Sequence, residues 1–529
     1  MDVDQDVEQG VDVAETNADV TVVGAGPVGL VLAAELALCG VRVQVLERLT
    51  EPEAGMKAGG INVPTAEALD RRGLLPAAER VQRDLLERFG PLVRTPEDRQ
   101  GDRPARESRF TGHFAGMVLD PALVDWSDPD LAAHTAVDGA RMVPQRELEE
   151  LLAAHVARLG VPVRRGVEVT GLRDTGDGVL VDTTAGPLRT GWLVGCDGGR
   201  STVRRLAGIG FPGTDPELTG RMAVADIAEP HKLADGWTWT TGGAYRCGPQ
   251  PGRVVTVEFD GAPADRSTPV TLDEVQASLR RVSGTDVTLT ALRAPASRWS
   301  DNARQAAAYR AGRVLLAGDA AHVHSPFGGQ GLNLGVGDAM NLGWKLGAVV
   351  AGWAPEGLLD TYDAERRPLG AWVLDWTRAQ TGVLRGDAKT AALREVLADL
   401  LATRDGATHA VKKISGVTQR LDLPGDHPLT GRAAPDLPLA DGSRLADHGH
   451  DGGFLLLDRT PDGAFARLAA PWGGRVRAVT DAGRATPAGV LVRPDGVVAW
   501  ACDSADTAGL EDALRCWAGA PSSLYQPAG

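Results

Sequence analysis

Short apolar runs broken by glycine turns set the pattern of this chain. Residues 19–23 form a β-branched run, residues 24–29 (GAGPVG) a turn, and residues 30–38 a compact apolar helix that stops at Gly40. Residues 41–46 alternate as a second strand ending at Glu47, which completes a βαβ unit of about 30 residues. Farther on, Leu148, Leu151, Leu152, Val156 and Leu159 recur at helical spacing over 143–159. Strand-like text follows at 161–169 and 179–188, and residues 193–200 read as a strand running into a turn. Residues 214–298 look β-rich, with WTWTT at 237–241 and RVVTVEF at 253–259. A buried strand at 313–317 runs into Gly318-Asp319, followed by a helix over 332–350 and helical text over 356–404. Beyond a Pro/Gly-punctuated linker at 425–438, strands at 453–457, 468–470, 475–479 and 489–500 alternate with helical pieces as a small separate α/β domain.

Composition narrows the class. With 529 residues, 43% hydrophobic and 24% charged, the chain has ordinary globular composition and can bury a core without disulfides or metals. The net charge of −15 argues against nucleic acid as a partner. Asp2, Asp4, Asp6, Glu8, Asp12 and Glu15 crowd residues 1–18 with no base among them, as in a solvated tail. The 5 cysteines lie far apart with no CxxC, which suits a reducing cytosol and not a zinc site. No apolar run reaches the ~18 residues of a membrane span, and no basic n-region precedes an apolar segment at the start. The expectation is a cytoplasmic protein with no membrane partner.

The glycine turn carries chemistry. Gly24-x-Gly26-x-x-Gly29 lets the backbone turn sharply and approach a pyrophosphate at a helix start, where free N–H groups favour an anion. Glu47 can accept the ribose hydroxyls of an adenosine and would repel a 2′-phosphate. FAD or NAD therefore fits better than NADP, and the turn does not separate those two; a tight turn that binds nothing is the bland alternative. Far downstream stand residues 315–322 (LLAGDAAH) and 325–333 (SPFGGQGLN). Asp319, at a strand end, is placed to bond a polyol hydroxyl, and the amides of 328–333 form an anion-ready nest. A helix start beside the N1–O2 edge of a reduced flavin would stabilise its negative charge.

The three boxes, GAGPVG with Glu47, CDGGRSTVRR at 196–205 and GDAAHVHSPFGGQGLNLGVGDAMNLGWKL from Gly318, resemble the class A flavoprotein monooxygenases. These are the single-component aromatic hydroxylases typified by p-hydroxybenzoate hydroxylase. Within them the chain is similar to the aromatic-polyketide hydroxylases of actinomycete biosynthesis, over roughly residues 19–500. The resemblance implies an α/β fold. A Rossmann-like FAD-binding domain would take 19–90, 141–212 and 301–424, with an inserted β-rich substrate domain at 91–140 and 213–300. A thioredoxin-like domain without CxxC would take 425–529, and the tail 1–18. FAD would rest on Gly24, Gly26, Pro27, Val28, Gly29, Glu47 and Arg48, with Gln145 on the FAD side of the first long helix. Asp197 and Gly198 would serve both FAD and NAD(P)H. Gly318 and Asp319 would meet the ribitol, and Pro326, Gly328, Gly329, Gln330, Gly331, Leu332 and Asn333 the isoalloxazine. Lys57 stands where relatives usually carry arginine and supplies the charge without the bidentate fork, and Pro64 stands where several have arginine.

The reaction implied consumes NADPH or NADH and O2. Reduced FAD would form a C4a-hydroperoxide and pass its distal oxygen to an electron-rich carbon of a phenolic, polyketide-type aromatic, in a dry site. Baeyer–Villiger oxygenation of a polycyclic ketone is the neighbouring alternative, and an inactive flavin-binding scaffold the alternative of another class. No catalytic base is legible. Trp237, Trp239 and Tyr245 are either core or pocket lining, and Arg200, Arg204 and Arg205 either a solvated helix face or cofactor contacts. His322 and His324 read as structural, without a metal. The C-terminal domain reads as structural or oligomerising, with a homo-oligomer left open.

Overall fold

The computed structural model describes residues 18–522 apart from 54, 56, 94–110, 135, 249, 264–267 and 484. The acidic tail and all but the first residues of the Pro- and Arg-rich stretch after Gly90 lie outside the described residues. Val20–Val23 is buried along its whole length, so both faces of its sheet must be covered. It pairs in parallel with Val43–Glu47 on one side and Trp192–Gly195 on the other. Val163–Arg165 extends one edge, and Val314–Leu316 with the antiparallel Arg310–Ala311 extends the other. Helix Pro27–Leu38 packs between this sheet and helix Gly331–Val350. That approach is close because glycine lines it: a Cβ on Gly343 would lie 2.4 Å from Glu35 Cβ, and one on Gly347 2.6 Å from Cys39 Cβ.

The second sheet runs in the order Gly236–Thr240, Gly243–Cys247, Arg253–Glu258, Thr219–Ile227, Leu289–Leu292, with Ser297–Ser300 also paired to Thr219–Ile227. One face meets helix Leu272–Ser283, an interruption of the expected β-rich stretch. There Thr271 accepts from the Glu274 N–H, Val275, Leu279 and Val282 share a buried face, and Gly284 ends the helix at φ +66°. The other face is covered by a hairpin of His113–Phe114 and Met117–Val118, pressed so close that a Cβ on Gly116 would lie 2.8 Å from Trp237 Cγ.

In the third sheet, Phe454–Asp458 and Val476–Thr480 run parallel around helix Ala464–Ala469. The antiparallel Gly489–Val492 and Val498–Cys502 and helix Leu510–Ala518 follow. Residues 468–470, expected as strand, are helical because Phe465 and Ala469 bury one face at a spacing of four. This unit is tied to the helices of the first by a buried ion cluster in which Lys345 and Arg493 share Glu365, and Arg493 also holds Asp495. Among the described residues no helix is long and apolar enough to cross a membrane.

Candidate active site

The first box forms the turn its spacing requires. Gly24 has φ +108°, and a Cβ there would strike the Cys196 carbonyl oxygen at 2.4 Å. Gly29 is pressed against the Gly24 carbonyl. Gly26 differs: an added Cβ meets nothing within 4 Å, so the backbone borders open space. Helix Pro27–Leu38 starts there with no side-chain cap and no acid in its first turn, leaving its amides unspent. Glu47 bounds the space, with Oε2 accepting from the Ala25 N–H at 2.8 Å and Oε1 from the Leu49 N–H at 2.9 Å. Lone pairs remain on both oxygens. Arg48 is exposed.

The third box is clamped to the first. Gly318, at φ +63°, lies against Val28, whose Cγ2 would be 3.0 Å from an added Cβ. Its N–H donates to Asp338 at 3.1 Å. Asp338 is wholly buried and also takes His322 Nε2 at 2.6 Å and Arg366 Nε at 2.8 Å. Burial alone would raise its carboxyl; His322 and Arg366 outweigh burial and hold it below the usual range. His322 is thus a structural group beneath the cradle. Asp319 is exposed, and its Oδ1 would be 3.9 Å from a Cβ on Gly331. Helix Gly331–Val350 begins beside it, again without a side-chain cap or an acid in the first turn. Gly329 borders open space as Gly26 does, Pro326 is exposed and Leu332 partly buried.

Several residues expected at the cofactor turn inward. Gln330 donates to the carbonyls of Gly328 and Ile414. Asn333 donates to the Gly329 carbonyl and accepts from the Asn62 N–H at 2.9 Å. Both fix the shape of the loop, which leaves its backbone as the presenting surface. Asp197 caps the short helix Thr202–Leu206, accepting from Ser201 Oγ and the N–H groups of Thr202 and Val203. Gly198, at φ +80°, makes the turn. Arg204 is buried, donates to the carbonyls of Ala320 and Gly199, and stacks on Phe211 at 3.6 Å, so it stitches the second box to the third. Arg205 bonds within its own helix and Arg200 is exposed. Lys57 is half-exposed and paired with Glu53 at 2.7 Å. Gln145 donates its N–H to the Ala58 carbonyl and its amide to Glu149.

An aromatic wall stands over the loop. Phe327, a loop residue that sequence reasoning passed over, is buried with its ring 5.3 Å from Trp237 and 5.7 Å from Trp299. His113 lies edge-on to Trp237 at 6.0 Å, and Gln380 accepts from the Ala115 N–H at 3.0 Å. Trp239 shares this face of the sheet with Trp237, two residues away. Tyr245 does not. It pairs across from Thr238, and its ring is buried in the core under helix Leu272–Ser283. His113, Trp299 and Gln380 come from three distant segments, and no local pattern in the chain marks them.

The cradle suits a group with a diphosphate at one end and an anion-prone ring edge at the other. Two uncapped helix starts, two unfilled glycine positions and two carboxylates, Glu47 and Asp319, are the donors and acceptors such a group would use. Fold and cradle together define a flavin-nucleotide oxidoreductase. Residues 17–377 match the FAD binding domain family, and residues 427–521 match the aromatic-ring hydroxylase C-terminal family. The chain is 42% identical over 533 residues to 12-dehydrotetracycline 5-monooxygenase/anhydrotetracycline 6-monooxygenase of Streptomyces rimosus, covering 95% of this chain and 99% of that one. It is also 42% identical over 517 residues to rifampicin monooxygenase of Streptomyces venezuelae, covering 96% and 99%. The solved anhydrotetracycline hydroxylase of Streptomyces rimosus superposes with a TM-score of 0.82 at 40% identity, covering 96% and 100%. The chain belongs to the class A FAD-dependent aromatic-ring hydroxylases and is an FAD-dependent monooxygenase.

Proposed function

We propose that the enzyme hydroxylates a polycyclic phenol of the polyketide type in the cytoplasm, with NADPH or NADH as electron donor and O2 as oxygen donor. The observation that carries this reading is the double use of one loop. Phe327 joins the aromatic wall, while the backbone from Gly329 to Gly331 opens the helix start. A planar polycycle on the wall would therefore lie next to a ring held at the loop. FAD bound in the cradle supplies the route for electrons from the nicotinamide to oxygen and the activated oxygen delivered to the substrate.

The chain's own residues bind, orient and exclude water. The Gly26 backbone and the amides after it would hold the pyrophosphate, Glu47 the adenosine ribose and Asp319 the ribitol. The amides at 329–331 would favour negative charge on the facing ring edge. Trp237, Trp239, Trp299 and Phe327 would keep the reacting face dry. The strand order and helices of 454–518 suit a thioredoxin-like unit, which, with no CxxC, we assign to bracing the cradle helix through Arg493.

The test is aerobic turnover by the yellow holoenzyme, with NADPH and labelled oxygen, on anhydrotetracycline and other polycyclic phenols. Uptake of one labelled oxygen atom as a ring hydroxyl is the expected outcome. An unlabelled product, or a labelled oxygen inserted into a ring, would overturn the reading. Gly26→Val should abolish FAD retention while circular dichroism stays native.

A further inference from the structure

The wall-bearing face of the second sheet carries two cations with no counter-charge among the described residues. Trp237 lies directly across from Arg246, and Arg246 directly across from Val255. Arg253 sits two residues before Val255 on the same strand, so Trp237, Arg246 and Arg253 share one face as near neighbours. Among the described residues the Arg246 guanidinium makes no hydrogen bond or ion pair, and the Arg253 guanidinium makes only an Nη2 contact with Met222 Sδ at 3.4 Å. The Nε of Arg253 is buried without a partner, and so are Ser297 Oγ and Trp237 Nε1 on this face. Ser297 lies across from Met222 on this face.

Four buried arginines elsewhere each have a carboxylate. Arg72 is held by Glu35, Arg221 by Glu258, Arg366 by Asp338 and Arg493 by Glu365. Burial pulls the Arg246 and Arg253 guanidiniums below their ordinary range, and for Arg246 the charge of Arg253 adds to it. His113 is pushed down to about 4 by burial and then by Arg246, so it is neutral at pH 7. Its Nδ1 accepts from the Gly116 N–H at 3.1 Å, which assigns the ring proton to Nε2 and leaves that donor free.

We propose that Arg246 and Arg253, with the His113 Nε2–H and Ser297 beside them, bind an ionised oxygen of the substrate, an acidic enol, phenolate or carboxylate on the polycycle. The pair would select anionic polycycles over neutral ones and fix which ring meets the loop at Phe327. This deepens the hydroxylase reading and rests on it. Unpaired cations held in place before binding destabilise the empty protein and strengthen recognition of an anion, the usual exchange of stability for function.

The experiment uses the FAD-loaded enzyme and two probes of one shape, a dihydroxyanthraquinone carboxylate and its methyl ester, followed by quenching of tryptophan fluorescence. The carboxylate should bind about tenfold or more tightly than the ester. Arg246→Gln and Arg253→Gln should each erase most of that preference with ester affinity unchanged within about twofold, and Arg246→Lys should keep part of it. The melting temperature of the Gln variants should hold or rise, whereas a structural role for either arginine predicts a fall. Equal binding of the two probes, binding of neither, a preference that survives the double Gln variant, or a lower melting temperature would each overturn the proposal. A raised KM for NADPH in place of a weakened carboxylate would assign the cations to the cosubstrate's phosphates and overturn it as well. A wild-type protein that retains no FAD would instead sink the hydroxylase reading, which separates the two failures.

Discussion

The two faces of the second sheet are built from the same strands and treat charge in opposite ways. Toward helix Leu272–Ser283, Arg221 donates to Glu258 at 2.6 Å and to Glu274 at 2.8 Å. Glu258 also takes Ser278 and Arg281, and Glu274 also takes Arg298. Each of these charges has an answer within the protein. Toward the loop, among the described residues, Arg246 and Arg253 have no acid, and the Trp237 and Trp239 indoles have no acceptor. Because side chains alternate along a strand, one sequence writes a closed face and an open one in interleaved letters. Satisfied buried polarity specifies structure, whereas the unpartnered polar groups of the open face lie among the Trp237, Trp239 and Trp299 rings.

The largest test of that contrast is Glu258→Gln, which leaves Arg221 and Arg281 without their shared carboxylate. It should cost ~3–5 kcal/mol in urea unfolding, and a cost near zero would erase the distinction between the faces. On the open face, Trp237→Ala should weaken binding of a polycyclic phenol about tenfold or more, some 1.4 kcal/mol, with FAD content unchanged. Acid should act on the closed face. The hydrogen bond from Arg298 lowers the Glu274 carboxyl most; burial opposes it, and Arg221 lowers it further. A carboxyl lowered in the folded state stabilises above its ordinary 4.5, and that stabilisation is lost as pH falls below it. The melting temperature of wild type should therefore drop below pH 4.5 more steeply than that of Glu274→Gln. The smallest effect belongs to Tyr245→Phe, which removes an acceptor 3.4 Å from the Ala234 N–H. It should cost about 0.5–1 kcal/mol and leave substrate affinity unchanged; weakened binding would return Tyr245 to the pocket.

The turns that shape the cradle were legible in the sequence. Gly24, Gly26 and Gly29 follow from the needs of a strand–turn–helix, and Asp319 from its place at the end of a buried strand. Helix Leu272–Ser283 was legible too. Thr271, the Val275–Leu279–Val282 spacing and Gly284 are ordinary start, face and stop signals, overlooked amid β-branched neighbours. Other features depend on contacts no local pattern encodes. Gln330 and Asn333 sit inside a cofactor motif yet point at Ile414 and Asn62, since whether a polar side chain faces in or out is decided by what folds beneath it. Tyr245 and Trp237 part company because the pairing of Thr238 with Tyr245 sets which residues share a face, and that register lies in the hairpin's geometry. His113, Arg246 and Gln380 become neighbours only through long-range packing.

Arg204, binding Ala320 across a gap of 116 residues, has a consequence for how the enzyme matures. A chain leaving the ribosome exposes its nucleotide loop early, but strand Val314–Leu316 and the helix ending at Val350 emerge far later. Until they dock, the nascent polypeptide presents only the first and second boxes. Any group that spans all three boxes therefore meets its full set of contacts only after Val350 has emerged.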